Sequence, residues 1–271
     1  MNKNPFIDVL GVKVMKRVVS CHPDAVLTGN FKLIVHVTDG CPGRCKFCCN
    51  KSSGFSLDVE KFKRDFIEIE KKCTIDEVFF TGGEPTLYWD KIKECLTVIK
   101  QKVTIHTMGM FLDRIDVPIN VSLSRHHWDH EENERILGVK LPKNYLSRFK
   151  YLDKTNLACN IIKGHVDNEI DMRRVLDLAM DNGIPLVGFI GLMPINDYSK
   201  DNGIRIPQFT GNDVLPYRAF CYKKGSCQCS NYCYHRDSKF QLFYFRHNTC
   251  PSDNHGGRIL YKNGIQPWFS K

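Results

Sequence analysis

The sequence predicts an α/β fold: a partial (β/α)6 TIM-like barrel over residues 1–205 and a small cysteine-rich C-terminal extension over 206–271. Three observations predict it. Apolar, strand-like runs alternate with segments of helical period, which implies parallel strands joined by crossover helices. The stretch from Ser199 to Pro216 is rich in Gly, Pro, Asn and Asp, and beyond it Cys, Tyr, Phe and His dominate. The length, 271 residues, suits one α/β barrel.

The elements follow in order. Phe31–Thr38 (FKLIVHVT) reads as a buried strand, and Val59–Lys72 as a helix with Asp58 as its N-cap. Ile75–Phe80 is the second strand and Asp90–Lys100 the next helix. Val103–Thr107 and Ile119–Ser124 are short strands, the latter leading into a helix over Glu131–Leu137. Leu157–Ile162 is followed by a helix from Glu169 to Asp181 that ends at Gly183, and Pro185–Leu192 (PLVGFIGL) is the sixth strand.

Composition narrows the class. No apolar run reaches membrane-spanning length, and Met1–Ser20 holds no continuous apolar export signal, so a cytoplasmic location is expected and no membrane. The net charge of +9 suits nucleic acid, a phosphorylated substrate or an acidic protein partner. No Lys/Arg run and no basic stripe interleaved with aromatics is present, which disfavours nucleic acid. Thirteen cysteines in a chain without an export signal point to metal ligation more than to disulfides. Cys73, Cys95 and Cys159 lie on apolar faces and read as core residues.

After the first strand comes Thr38-Asp39-Gly40-Cys41-Pro42-Gly43-Arg44-Cys45-Lys46-Phe47-Cys48-Cys49. Gly40, Pro42 and Gly43 let this loop turn tightly enough to aim three thiolates at one cluster, with Cys49 as a bystander. Three ligands leave one metal position open, as catalytic sites do. A zinc knuckle is the alternative, although zinc favours paired C-x2-C units. Thr81-Gly82-Gly83-Glu84-Pro85 follows the second strand. Its paired glycines permit a close backbone approach, and Glu84 could pair with an ammonium group; such a turn is also often only a turn.

Together these segments resemble the radical S-adenosylmethionine (SAM) enzymes, whose signature is C-x3-C-x-Φ-C with an aromatic at Φ, here Phe47. The resemblance implies a 4Fe–4S cluster on Cys41, Cys45 and Cys48, with the open iron binding the amino and carboxylate groups of SAM. One electron would cleave the sulfonium to a 5′-deoxyadenosyl radical, which removes hydrogen from a substrate. Gly82, Gly83 and Glu84 resemble the GGEP segment that binds the SAM amino group. The branch of the molybdenum-cofactor cyclase is suggested by Thr107-Met108-Gly109, Val121–Ser124, Asn160 with Gly164, Asn168 and Glu169, and Phe189–Pro194. By that likeness Ser122 and Asn160 contact SAM, Met193 lies against the adenine by its backbone, and Thr107 faces substrate. Met108, Ser124 and Gly191 depart from the branch's pattern, which leaves the substrate open.

Arg125-His126-His127-Trp128 follows the fourth strand, where barrel enzymes carry their chemistry. Arg125 and His126 are candidate substrate contacts, or members of a polar loop leading into a helix. In the tail, Cys221, Cys227, Cys229, Cys233 and Cys250 loosely resemble SPASM or twitch auxiliary-cluster extensions, implying a second Fe–S cluster or a structural zinc. The expected partners are an electron donor such as flavodoxin or ferredoxin and a peptide or nucleotide-like small-molecule substrate. The competing reading is a non-catalytic zinc protein that binds nucleic acid.

Overall fold

The computed structural model describes residues 6–18, 27–28, 30–48, 50, 53–205, 207, 209–219, 230–246 and 257–266. Among these, the chain runs β1 (Phe6–Val9), β2 (Val12–Met15), β3 (Arg17–Val18), β4 (Leu27–Thr28), β5 (Asn30–Thr38), α1 (Val59–Lys72), β6 (Thr74–Gly82), a 3-10 turn (Pro85–Tyr88), α2 (Trp89–Leu96) and β7 (Lys102–Thr107). It continues through β8 (Asn120–Ser124), α3 (His130–Leu137), α4 (Tyr145–Arg148), β9 (Thr155–Ile161), α5 (Glu169–Asp181), β10 (Leu186–Gly191) and α6 (Asp197–Asn202). The last elements are β11 (Val214–Ala219), β12 (Ser230–Arg236), β13 (Lys239–Arg246), β14 (Arg258–Tyr261) and β15 (Ile265–Gln266).

The chain divides into two compact units. One holds Met1–Cys41, Asn50–His106 and Pro251–Lys271; the other holds Pro42–Cys49 and Thr107–Cys250. The tail residues are shared out: β14 and β15 fall in the first unit, β11 to β13 in the second.

The first unit is built on strands in the order β7-β6-β5-β14-β15. β5 pairs in parallel with β6 and with β14, and β6 with β7. β5 alternates from Asn30 to Val37, with Phe31, Leu33, Val35 and Val37 fully buried, as a period of two requires. α1 starts where Asp58 accepts a hydrogen bond from the Lys61 amide at 2.9 Å. It lays Val59, Phe62, Phe66 and Ile69 onto the sheet. Phe62 meets Tyr261 of β14 edge-on at 5.3 Å, and the buried Tyr261 hydroxyl donates to Asp65 at 2.7 Å. α2 ends at Leu96, four residues short of the expected end, before the β-branched run Thr97-Val98-Ile99.

The second unit orders its strands β11-β12-β13-β10-β9-β8. β8–β9, β9–β10 and β10–β13 are parallel, while β12 pairs antiparallel with both β13 and β11. One face is apolar: Leu123, Leu157, Cys159, Val187, Phe189 and Phe243 are fully buried. α5 covers β10 and β13, capped by Asn168, whose side chain accepts from the Asp171 amide at 3.0 Å. Among the described residues no helix is long and apolar enough to cross a membrane.

Candidate active site

In the first unit the C-terminal end of β5 runs into Asp39, Gly40 and Cys41, and the neighbouring end of β6 runs into Gly82, Gly83 and Glu84. The register between these strands shifts between His36 and Thr38, a bulge that turns the end of β5. Two backbone bonds then join the segments: Gly83 N–H donates to Thr38 O at 2.6 Å, and Glu84 N–H to Gly40 O at 2.8 Å. The glycines are dictated by this approach. Gly82 has φ +133°, and a Cβ there would lie 2.3 Å from Thr38 O; a Cβ on Gly83 would lie 2.1 Å from Gly40 O.

Glu84 is fully buried. One of its oxygens accepts from the Thr86 amide at 3.1 Å and from the Thr86 hydroxyl at 2.5 Å. It thereby caps the Pro85–Tyr88 turn, a role the sequence reading did not give it.

Sequence reasoning also missed the Asp39 network. The buried Asp39 carboxylate accepts from His36 Nε2 at 2.5 Å, from Ser53 Oγ, and from Lys262 Nζ at 3.2 Å to each oxygen. Its carbonyl accepts from Asn50 Nδ2 at 3.0 Å. Burial pushes the Asp39 carboxyl up, but the bonds from Ser53, His36 and Lys262 outweigh it and hold it below the usual carboxylate range. Burial lowers His36 despite Asp39 beside it. Phe55 lies under both bases, 5.4 Å from the His36 ring and 4.7 Å from the Lys262 ammonium. His36 and Asp39 at i, i+3 were the available signal; Lys262 had none.

The division between units falls after Cys41, so Cys45, Phe47 and Cys48 belong to the second unit. Cys48 N–H donates to Cys45 O at 3.0 Å, giving the loop a tight turn. Cys41 and Cys45 are half-buried, Cys48 is exposed, and none of the three is in a disulfide. Phe47 leans on the cluster of Ile136, Ile162 and Leu192 and meets the His126 ring edge-on at 5.1 Å.

His126 is buried. Its Nδ1 accepts from the Asn160 amide at 3.1 Å, which places the ring proton on Nε2, and its own amide donates to Asn133 Oδ1 at 2.8 Å. Burial, helped by the Arg125 charge, pushes its pKa down to about 3. Arg125 is turned into its own loop. Nε donates to His127 O at 2.8 Å, Nη2 to Trp128 O at 2.9 Å and Nη1 to the Tyr145 hydroxyl at 3.1 Å. Its fork braces the β8–α3 loop.

The other expected SAM residues, and the substrate candidate Thr107, lie in the second unit, with Ser122 on β8, Asn160 on β9 and Met193 just after β10. Ser122 is half-buried, with Asn156 Nδ2 3.4 Å from its hydroxyl. The Met193 side chain is exposed, and its carbonyl accepts from the Ile195 amide at 2.8 Å. Thr107 is buried, its hydroxyl accepting from the Gly109 amide at 3.0 Å. Of the tail cysteines, Cys221, Cys227, Cys229 and Cys250 lie outside the described residues, as does Cys49. Cys233 is half-buried on β12, opposite Leu215 and Leu242.

Among the described residues no three His, Cys, Asp or Glu side chains converge closely enough to hold a single metal ion. Cysteine thiolates are the donors that a 4Fe–4S cluster takes, one to each iron, and Cys41, Cys45 and Cys48 are of that donor type.

Comparison with known proteins bears on the family. A provisionally assigned dual-specificity RNA methyltransferase RlmN from Pseudothermotoga lettingae is 28% identical over 188 residues, 58% of this chain and 52% of that protein. A 7-carboxy-7-deazaguanine synthase from Methanocaldococcus jannaschii is 32% identical over 140 residues, 43% of this chain and 56% of that protein. The chain spans about half the length of these two relatives. Streptococcus suis SuiB bound to S-adenosylmethionine shares the fold, with a TM-score of 0.54 at 19% identity over 65% of this chain and 44% of that one. The Radical SAM superfamily profile matches residues 35–202, from β5 through α6. That match covers most of the chain and includes both the cysteine loop and the Gly-Gly-Glu turn, and on it the chain belongs to the radical SAM superfamily.

Proposed function

We propose that the protein is a radical SAM enzyme in which Cys41, Cys45 and Cys48 hold a 4Fe–4S cluster. When bound, the cluster and SAM supply a 5′-deoxyadenosyl radical by one-electron cleavage of the sulfonium, and the radical abstracts hydrogen from a substrate. The observation that carries this reading is the pair of bonds from Gly83 to Thr38 and from Glu84 to Gly40, 2.6 and 2.8 Å. They set the Gly-Gly-Glu turn directly beside the segment that leads into Cys41, at the C-terminal ends of adjacent parallel strands, where α/β proteins bind ligands.

The chain's own residues have distinct tasks. Gly82 and Gly83 admit the backbone approach, and Glu84 fixes the turn. Phe47, Ser122, Asn160 and Met193 contact SAM. His126 keeps its proton on Nε2 and presents a neutral donor. Asp39, with His36 and Lys262, holds the segment ahead of Cys41. A one-electron donor such as flavodoxin or ferredoxin, acidic where this chain is basic, docks to supply the electron in the reducing cytoplasm.

We take the substrate to be a peptide. A relative from Methanocaldococcus jannaschii, provisionally named a glycyl-radical enzyme activating enzyme, is 26% identical and aligns over 72% of this chain and 73% of itself; by that name it acts on a protein. The RNA methyltransferase and deazaguanine synthase relatives favour a nucleotide as the second reading. Protein reconstituted anaerobically with iron and sulfide should be brown, and Cys41→Ala/Cys45→Ala/Cys48→Ala should lack that colour. A colourless wild-type protein holding only zinc contradicts the reading. Incubation of the reduced enzyme with peptide and nucleotide pools, followed by a search for mass-shifted products, separates the two substrate classes.

A further inference from the structure

We propose that Asn196 and the C-terminal end of α3 form a clamp that holds the cysteine loop in its ligating shape before any cluster is bound. The proposal rests on reading Cys45 and Cys48 as cluster ligands.

Asn196 is the N-cap of α6. Its Oδ1 accepts from the Ser199 amide at 2.8 Å, and Ser199 Oγ accepts from the Asn196 amide at 3.0 Å, a complete capping box. Capping uses only the oxygen. The Nδ2 end donates to Lys46 O at 3.0 Å and to Cys48 O at 3.4 Å, about 150 residues away in the chain. Aspartate or serine would cap this helix as well, but neither offers the two donors that the loop carbonyls receive.

The end of α3 grips the same loop from another direction. Leu137 O, a carbonyl that the helix end leaves without an intrahelical partner, accepts from the Arg44 amide at 2.8 Å; the Cys45 thiol also reaches it at 3.4 Å in the metal-free chain, a contact given up when the sulfur ligates as a thiolate. Gly138 follows in the left-handed region, φ +65°. A Cβ there would meet Arg44 Cβ at 2.8 Å and the Arg44 backbone at 3.1 Å, so glycine is required by conformation and by contact. Phe47 packs inward against Ile136, Ile162 and Leu192. Residues 44–48 are thus held at backbone carbonyls, amides and a partly buried ring together. Fixing a loop costs conformational entropy, and a loop already fixed binds its ligand without that cost. Asn196 and Gly138 are positioning residues: neither offers a ligand to iron.

The test uses full-length protein. Asn196→Asp keeps the cap and replaces the donor with an oxygen facing two carbonyl oxygens; Gly138→Ala attacks the other grip. In metal-free protein, amide hydrogen exchange over residues 42–48 is measured by mass spectrometry beside the melting temperature. In anaerobically reconstituted protein, the rate of iron loss to a chelator and the EPR spectrum of the reduced cluster are recorded. Asn196→Asp should melt within a few degrees of the wild type, exchange its loop amides about tenfold faster and lose iron about tenfold faster, as expected for the loss of two hydrogen bonds at the weak end of the usual range. Its EPR spectrum should shift. Wild-type exchange or wild-type iron loss in Asn196→Asp would overturn the proposal, whatever Gly138→Ala does. If the wild-type chain takes up no iron, the cluster reading fails, and loop exchange alone decides whether the clamp exists.

Discussion

Lys262 lies 3.2 Å from both carboxylate oxygens of Asp39, which stands 223 residues earlier in the chain. The hairpin after β14 thereby ties the end of the described chain to the residue two before Cys41. Lys262→Met should destabilise the protein by about 1–2 kcal/mol, a hydrogen bond to a charge discounted for the lysine's partial exposure. Urea unfolding of metal-free protein measures this, and an unchanged midpoint would show that the contact contributes nothing.

Gly83 leaves no room for a side chain, because the atom a Cβ would strike, Gly40 O at 2.1 Å, is backbone. Gly83→Ala should cost more than about 2 kcal/mol, as overpacking against a fixed neighbour does. Reconstituted Gly83→Ala should also hold less iron per chain than the wild type. Wild-type stability and iron content together would mean that the two segments can part without consequence.

How much of this was legible in the sequence depends on how local the cause is. α1 could be read because Asp58 caps it and Val59, Phe62, Phe66 and Ile69 repeat at helical spacing. The Gly-Gly-Glu turn could be read because its glycines answer a steric demand within a few residues of β6. What the glycines meet, the backbone of Thr38 and Gly40, belongs to another segment and could not be read. The pairing of β14 with β5, and of β13 with β10, is set by tertiary packing across long separations and has no local signal to read. Arg125 is a different case. Its charge suggested a ligand contact, but two carbonyls of its own loop and Tyr145 take its fork, and sequence does not say which way a long side chain turns.

His126 predicts an acid-sensitive stability. Its pKa is about 3 in the folded chain and near the ordinary value of about 6.5 when unfolded. Between those values the unfolded chain binds a proton that the folded chain refuses. The neutral imidazole's contribution is therefore complete above about pH 6.5 and is lost as pH falls, by about 1.4 kcal/mol per unit. His126→Asn keeps an acceptor for the Asn160 amide and has nothing to titrate. Between pH 6.5 and 5 its stability should fall less steeply than that of the wild type by about one proton's worth, as followed by urea unfolding at each pH. Equal slopes would contradict the neutral, buried assignment.

Thiol chemistry should divide the cysteines. Burial pushes the Cys73 thiol up to about 11 and Cys95 up to about 12, and raises Cys159 as well. Among the described cysteines, iodoacetamide at pH 8 should label the exposed Cys48 of metal-free native protein first. Cys95 and Cys159 should react at least about a hundredfold more slowly until the chain unfolds. Peptide mapping reads the order, and early labelling of Cys95 or Cys159 would contradict their place in the core.

In the proposed function Cys41, Cys45 and Cys48 equip the chain to cleave SAM reductively. The direct measurement is 5′-deoxyadenosine released from SAM by anaerobically reconstituted protein after reduction with dithionite. The wild type should release it, and Cys41→Ala/Cys45→Ala/Cys48→Ala should release none above background. No release from a wild-type protein that carries a full 4Fe–4S complement, or equal release from both proteins, would contradict it.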